Sequence, residues 1–114
     1  MNAVFLTGRL SNDPELRFTA NGKKVVNFGL AVEYRGSDNV DFFDIVAWER
    51  TAEVIAQHLT KGRRVAIRGY LDKTPWVTAE GEKRSRVEIV AQEVEFLDFP
   101  RRTEQPDESP TEEQ

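Results

Sequence analysis

Long stretches of this chain alternate large apolar residues with small or polar ones, and this two-residue period is typical of half-buried β-strands. The clearest stretch runs from residue 23 to residue 34. Its large apolar positions are Val26, Phe28, Leu30 and Val32. Because successive side chains of a strand point to opposite faces, one face of this stretch is apolar and the other is small or polar. The period therefore predicts strands that cover a core on one side.

Five stretches are predicted strands, at residues 4–10, 23–34, 40–48, 63–73 and 86–97. Residues 51–60 instead place apolar side chains at three- and four-residue spacing, which predicts a short amphipathic helix. A polar arm, residues 72–86, joins the last two strands. Five strands with one helix between the third and the fourth is the element order of the OB barrel. We therefore predict an all-β fold, a five-stranded OB-fold barrel with a long hairpin arm between strands four and five.

The third predicted strand has two unlike faces. Its core face would hold Phe43, Ile45 and Ala47, and its opposite face Phe42, Asp44, Val46 and Trp48. Two large rings beside a charge are typical of an interface or of a ligand platform. In the last strand, the predicted inward positions are Val87, Ile89, Ala91, Val94 and Phe96. We place the remaining phenylalanines, Phe5, Phe18 and Phe28, in the core or at interfaces.

The composition lacks the residues that most catalytic mechanisms need. The chain has no cysteine and a single histidine, His58, so thiol nucleophiles, disulfides and zinc clusters lack their residues. No pair of carboxylates stands at metal-binding spacing with a supporting histidine, and no glycine-rich loop opens a helix as a phosphate cradle requires. We expect the chain not to be an enzyme and to hold no metal or other cofactor.

Charge is divided unevenly along the chain, whose net charge is -4. Five of the 20 acidic residues and no basic residue lie in 103–114, so residues 1–102 carry 16 positive and 15 negative charges. The end of the chain contains too little apolar surface to offset the entropy of ordering it. We predict a folded domain over residues 1–99 and a disordered acidic tail over residues 100–114.

The first residues show neither a basic leader nor a small-residue cleavage site. No apolar run approaches the roughly 20 residues that a membrane helix needs. We expect a cytoplasmic protein that is not bound to a membrane.

The polar arm contains Trp76 at a position where the apolar period does not call for a large ring. Four cations lie near it in sequence: Lys73, Lys83, Arg84 and Arg86. Rings beside cations match the physics of single-strand nucleic-acid binding, in which bases stack on the rings and cations hold the phosphates. Packing of Trp76 back onto the barrel is the structural alternative.

Other rings and cations could extend this surface. Phe42 and Trp48 point outward together if the opposite face of their strand fills the core. Tyr34 could join them or be an ordinary strand-end tyrosine, and Tyr70 could join them or lie at a subunit interface. Arg63, Arg64 and Arg68 form a further basic cluster, which is either part of a basic track or a set of solvated strand ends.

With these motifs in view, the chain resembles the bacterial single-stranded DNA-binding proteins. The likeness covers about residues 1–99 and is strongest in NAVFLTGRL (2–10), DPELRF (13–18) and VNFGLAV (26–32). It continues through TAEV (51–54), LTKG (59–62) and VAIRGYL (65–71) to the tryptophan that follows. So many motifs in this order are highly specific for that family.

The resemblance implies an OB-fold homotetramer, a dimer of dimers, around which single-stranded DNA wraps during replication, recombination and repair. It implies that Phe42, Trp48 and Trp76 stack on bases. It also implies basic residues at or near Arg17, Arg50 and Lys73 along the DNA path, and a first strand similar to the family's dimer-forming strand. The full predicted DNA-binding set is Phe42, Trp48, Trp76, Tyr34, Tyr70, Arg17, Arg50, Arg68, Lys73, Lys83, Arg84 and Arg86.

The chain also departs from the family's pattern. Replicative members end in an acidic tip closing with Pro-Phe that docks other replication and repair proteins, whereas this sequence ends in PTEEQ. The loop between strands two and three is short, Tyr34 lies near the place of a further tryptophan, and Asp44 lies on the presumed DNA face. A main replicative protein and a short-tailed accessory paralogue, serving DNA uptake or a mobile element, are therefore both open.

Three other classes of function compete with single-stranded DNA binding. In an OB-fold subunit of a replication-restart assembly, the same rings would contact a protein partner. An OB-fold RNA binder is disfavoured by the length of the arm. An enzyme is disfavoured by the missing catalytic residues.

Overall fold

The computed structural model describes residues 1–98, so the predicted acidic tail lies outside the described residues. Within this range the chain forms six strands and one helix. They are β1 (Val4–Leu10), β2 (Glu15–Phe18), β3 (Lys24–Glu33), β4 (Val40–Trp48), α1 (Glu49–His58), β5 (Arg64–Val77) and β6 (Lys83–Phe96).

The strands form one sheet that closes on itself. Their order is β1-β5-β6-β4-β3-β2, and β1 also pairs with β3 at Arg9 and Leu10. Neighbouring strands are antiparallel except β4 and β6, which pair in parallel at Ile45↔Ile89 and Val46↔Val90. A closed barrel with the helix after its third barrel strand confirms the predicted OB-fold class.

Strand β2 was not predicted; it lies outside the five strands, β1, β3, β4, β5 and β6, whose pairings close the barrel as predicted. It pairs with β3 from Glu15↔Asn27 to Phe18↔Lys24, and all four of its residues are exposed. Its apolar residues Leu16 and Phe18 alternate with Glu15 and Arg17, but over only four residues, too short a run to stand out as a strand. Pairing with β3, rather than burial, defines this strand.

The predicted arm is a hairpin that continues the two barrel strands. Each of β5 and β6 has 14 residues, and their pairing extends out to Val77↔Lys83. The turn is closed by the Thr78 N–H, which donates to the Glu82 carbonyl at 2.9 Å, and by the Gly81 N–H, which donates to the Thr78 carbonyl at 3.0 Å. The arm therefore leaves the barrel as a two-stranded ribbon.

The main core lies inside the barrel under α1. Its buried residues are Leu10, Val26, Phe28, Leu30, Ile45, Ala47, Ala52, Ile55, Leu59, Val65, Ile67, Ile89 and Ala91. The predicted inner faces of β3 and β4 are confirmed, because Val26↔Ala47 and Phe28↔Ile45 are paired and buried. The helix begins two residues earlier than predicted and also ends two residues earlier.

Three predicted inward or core positions are exposed. Val87 is 54% exposed, so its predicted inward position is wrong: it lies on the arm, where no second layer covers it. Phe5 and Phe18 are also exposed, which excludes them from the core of a single chain. An interface role for these two phenylalanines stays a prediction.

Gly69 lies where a side chain on β5 would collide with the backbone of β6. The register of the two strands shifts between Arg68 and Gly69, which is a β-bulge. A Cβ atom on Gly69 would clash with the Val90 carbonyl oxygen and lie 2.9 Å from its carbon. Both obstacles are backbone atoms, so only glycine fits without moving a strand.

We expect Gly69→Ala to lower the free energy of unfolding by at least about 2 kcal/mol, because the added methyl group overpacks the barrel wall. Urea unfolding followed by circular dichroism measures the change. Gly36→Asn is the matched control, since Gly36 has a positive φ of 72° in a loop with open space around it, and Asn tolerates that conformation. An alanine variant as stable as the wild type would contradict the close approach.

Candidate functional site

The outer face of β2, β3, β4 and β6, continued by the arm, carries most of the candidate residues; we call it the platform. Paired residues of neighbouring strands share a face, so the register gives its rows. One row runs Arg17, Val25, Trp48 across β2, β3 and β4. Phe42 lies on the same face of β4 and pairs with Ala31. Trp48 lies six positions after Phe42 along β4, a distance of about 20 Å.

Both rings are available to a ligand. Trp48 is 40% exposed and Phe42 is 68% exposed. Their paired neighbours on β3 are Val25 and Ala31, whose short side chains leave the ring faces open. The predicted outward direction of these two rings therefore agrees with the structure.

A second, smaller apolar cluster supports the centre of the platform. It consists of Val25, Val46 and Val90, with the half-buried Tyr70 packed against them. Val46, Val90 and Tyr70 form one row because Val46 pairs with Val90 and Val90 with Tyr70. Tyr70 is therefore part of the floor of the platform, and its predicted DNA contact stays untested.

The arm divides its cations between two faces. Trp76 pairs with Arg84, and the Arg86 guanidinium carbon lies 5.8 Å from the centroid of the indole ring. Side-chain alternation places these three residues on one face of the arm. Lys73 pairs with Val87 and Lys83 with Val77, which places both lysines on the opposite face. The four cations grouped by sequence are thus divided two and two between the faces of the arm.

Trp76 does not pack back onto the barrel. Its ring is 43% exposed and lies on the arm beside Arg86. Neither apolar cluster of the described residues includes it. The structural alternative for Trp76 is therefore not supported.

A groove of about 730 Å³ on the platform is lined by charged residues that are far apart in the sequence. Its lining includes Arg17 from β2, Asp44 from β4, and Arg86 and Glu88 from β6. Arg17 donates a hydrogen bond to the side-chain carbonyl of Asn27, which also lines the groove. Sequence reasoning missed Asn27 and Glu88 as site residues, because only the register of β2 and β6 places them beside the arginines.

Asn12 shapes one edge of the same groove. Its side-chain oxygen accepts a hydrogen bond from the Gly29 N–H at 2.8 Å. Gly29 pairs with Asp44, and the side chains of Ser11 and Asn12 occupy the space that a side chain at Gly29 would need. Asp44 itself is exposed and lines the groove.

Two of the predicted arginines lie apart from the groove. Arg68 pairs with Phe5 of β1, and its Nε donates to the Glu93 carboxylate at 2.9 Å. It belongs to the surface around β1. Arg50 is an exposed residue in the first turn of α1, two residues after Trp48. Their predicted DNA contacts stay predictions.

Tyr34 follows β3 and is tied to the other side of β4 from Phe42. Its hydroxyl donates to the carboxylate of Asp41, a residue that pairs with Val32 on the inner face. This hydrogen bond, and then the negative charge of Asp41, raise the pKa of Tyr34. The structure therefore does not bring Tyr34 to the Phe42 ring.

Lys24 fixes the start of α1 immediately after Trp48. Its side chain donates to the Glu53 carboxylate, and its backbone N–H donates to Glu49 Oε1 at 3.3 Å. The Lys24 hydrogen bond and charge, followed by the charge of Arg50, lower the pKa of Glu53. Both contacts tether the helix to β3 and so restrict the backbone that carries Trp48.

Within residues 1–98, no three histidine or acidic side chains are grouped so that they could hold a metal ion. No helix in the same range has both the length and the apolar character of a membrane crossing.

Comparison with known proteins gives consistent matches. The family model described as the single-strand binding protein family matches residues 1–97. A Treponema pallidum protein named single-stranded DNA-binding protein is 45% identical over 103 residues, which cover 85% of this chain and 58% of that protein. Single-stranded DNA-binding protein 3 of Clostridium acetobutylicum is 40% identical over 104 residues, or 87% of this chain and 72% of that protein.

A protein named single-stranded DNA-binding protein from Thermotoga maritima is 41% identical over 104 residues, or 85% of this chain and 74% of its own length. The chain thus spans between 58% and 74% of the length of these relatives. The family model covers nearly all the described residues, including the barrel, the platform and the arm. This chain therefore belongs to the single-strand binding protein family.

Proposed function

We propose that this chain binds single-stranded DNA without reading a defined sequence, through base stacking on the platform rings and phosphate contacts from nearby cations. The observation that carries the proposal is the exposed Trp76 ring with the Arg86 guanidinium 5.8 Å from its centroid, on an arm that projects from the barrel. An unpaired strand offers both a base face and a phosphate at each nucleotide, which matches this pair of groups.

The spacing of the rings supports contact with several nucleotides. Phe42 and Trp48 are about 20 Å apart along β4, too far to hold the same base. Trp76 lies on the arm, beyond the parallel pairing of β4 and β6. Each ring therefore takes a different nucleotide, and the groove containing Arg17 and Arg86 receives phosphates between them. Stacking stabilises a bound base by about 1–3 kcal/mol, whatever the base.

The chain acts by binding and not by catalysis, as its membership of a family of binding proteins indicates. We infer that it protects exposed single strands during replication, recombination and repair, and that it does so in the cytoplasm with the nucleoid. The names of its relatives, which state single-stranded DNA binding, support the same substrate.

We also infer that the chain assembles as a homotetramer, a dimer of dimers, with β1 at the contact within each dimer. β1 pairs with β5 from Val4 to Arg9, but on its other side only Arg9 and Leu10 pair with β3 among the described residues. Residues 4–8 therefore leave an open strand edge, which favours pairing with a second copy. Phe5 lies on the outer face of this segment and is 72% exposed.

Replacing either Trp48 or Trp76 by alanine should weaken the binding of oligo(dT) about tenfold, because each variant loses one stacked base. Fluorescence anisotropy of a labelled oligonucleotide, titrated at constant salt, gives the dissociation constant. Val77→Ala is the matched control, since it truncates an exposed apolar side chain on the face of the arm opposite Trp76. Wild-type affinity in Trp76→Ala would contradict the role of the arm.

The two faces of the arm give different salt dependences. We expect Arg86→Ala to reduce the slope of log K against log salt by about 0.7, since one phosphate contact to a single strand is lost. Lys73→Ala removes the same charge from the opposite face of the arm. A change of slope in both variants would show that DNA wraps around the arm, and no change in Arg86→Ala would contradict a phosphate contact there.

Phe5→Glu should reduce the mass of the assembly at equilibrium, because it places a charge on the open edge of β1. Sedimentation equilibrium at several protein concentrations measures this mass. Phe42→Glu is the matched control: it introduces the same charge at a ring of similar exposure on the platform, and its assembly should stay intact. An unchanged mass in Phe5→Glu would place the subunit contact elsewhere.

A further inference from the structure

Three carboxylates form a row across the middle of the platform, which we call the acidic row. Asp44 and Glu88 directly precede the paired residues Ile45 and Ile89, so they are neighbours on β4 and β6. Glu88 in turn pairs with Asp72 on β5. Asp44 and Glu88 line the same groove as Arg17 and Arg86. Within residues 1–98, no ion pair involves any of the three carboxylates.

The acidic row is costly for a face that binds a polyanion. Like charges directly opposite one another on neighbouring strands are destabilising. The same carboxylates repel any phosphate that approaches them. Asp44 is exposed and lines the groove, so a bound strand can reach this carboxylate. Among the groups of a DNA strand, those that lie favourably over the acidic row are therefore hydrogen-bond donors without negative charge.

The bases of DNA differ in whether they offer such a donor. Cytosine, adenine and guanine carry exocyclic amino groups, and an ionised carboxylate accepts their N–H hydrogens. Thymine has no amino group, and its two carbonyl oxygens flank its single ring N–H. An unpaired strand exposes these base edges, whereas its phosphates lie on the other side of each nucleotide.

We propose that the acidic row favours bases with amino groups, so that it raises the affinity of the chain for cytosine-containing strands relative to thymine-only strands. Phosphates then lie at the sides of the groove, where Arg17 and Arg86 hold them. This inference rests on the proposed function, because it assumes that DNA lies on the platform. Ring stacking supplies affinity for every sequence, and the acidic row adds a dependence on base composition.

The double variant Asp44→Asn and Glu88→Gln tests the proposal. Both substitutions keep the size of the side chain and remove its charge, which also relieves repulsion within the acidic row. The dissociation constants of oligo(dC) and oligo(dT) of equal length are measured by fluorescence anisotropy for the variant and the wild type. Comparing the ratio of the two dissociation constants between the variant and the wild type cancels the effect of the different intrinsic flexibility of the two oligonucleotides.

We expect the preference for oligo(dC), expressed as Kd for oligo(dT) divided by Kd for oligo(dC), to be about three- to tenfold smaller in the double variant than in the wild type, because hydrogen bonds to charged acceptors are lost. The matched control is Glu95→Gln, which makes the same change on the same strand but outside the groove. It should leave the ratio unchanged.

Two outcomes would overturn the proposal. If the carboxylates only repel phosphates, the double variant binds both oligonucleotides more tightly by the same factor, and the ratio stays constant. Unchanged affinity for both strands would show that DNA does not reach the acidic row. Failure of the proposed function looks different: the wild type would bind neither strand, or Trp48→Ala and Trp76→Ala would bind both as tightly as the wild type.

Discussion

The pairing of β5 with β6 is the interaction on which the rest of the structure depends. It runs from Val65↔Phe96 to Val77↔Lys83 and serves two purposes along one ribbon. At one end it links β1, which pairs with β5, to β4, which pairs with β6, and so closes the barrel. The pairing of β4 with β6 covers two residue pairs, so closure depends mainly on the longer β5–β6 pairing. At the other end it carries Trp76 and Arg86 away from the barrel. Gly69 lies between these two parts, where the register shifts and the backbones approach closely.

The platform combines a rigid floor with exposed rings. Val25, Val46 and Val90 bury apolar surface on the outside of the sheet, where a single barrel would ordinarily be polar. This second cluster couples β3, β4 and β6 on their outer side, as the main core does on their inner side. Trp48, which pairs with Val25, and the groove next to it therefore rest on strands packed on both faces. Such a support keeps the rings in place before a ligand arrives, which reduces the entropy lost on binding.

Apolar alternation predicted the barrel because burial produces that period, and it failed wherever burial was absent. The exposed β2 alternates over only four residues, too short a run to stand out, yet it supplies Arg17 to the groove. Val87 continues the period of β6 after the ribbon has left the barrel, because alternation reports the pleat of a strand and not what covers its faces. Charge clusters read along the chain do not show which face each cation takes: alternation puts Lys73 and Arg86 on opposite faces of the arm. The position of the Tyr34 side chain depends on a hydrogen bond to Asp41, which no local sequence pattern shows.

The nearly neutral charge of residues 1–102 determines which physical effect dominates binding. A balanced charge gives little long-range attraction for a polyanion, so affinity depends on short-range stacking and on a few well-placed cations. On our proposal, the acidic row then also favours single strands over duplexes. A single strand can turn its base edges toward Asp44 and Glu88 while its phosphates contact Arg17 and Arg86. A duplex keeps those base edges paired and offers the acidic row mainly phosphates. The carboxylates that accept hydrogen bonds from the bases of a single strand therefore repel a duplex.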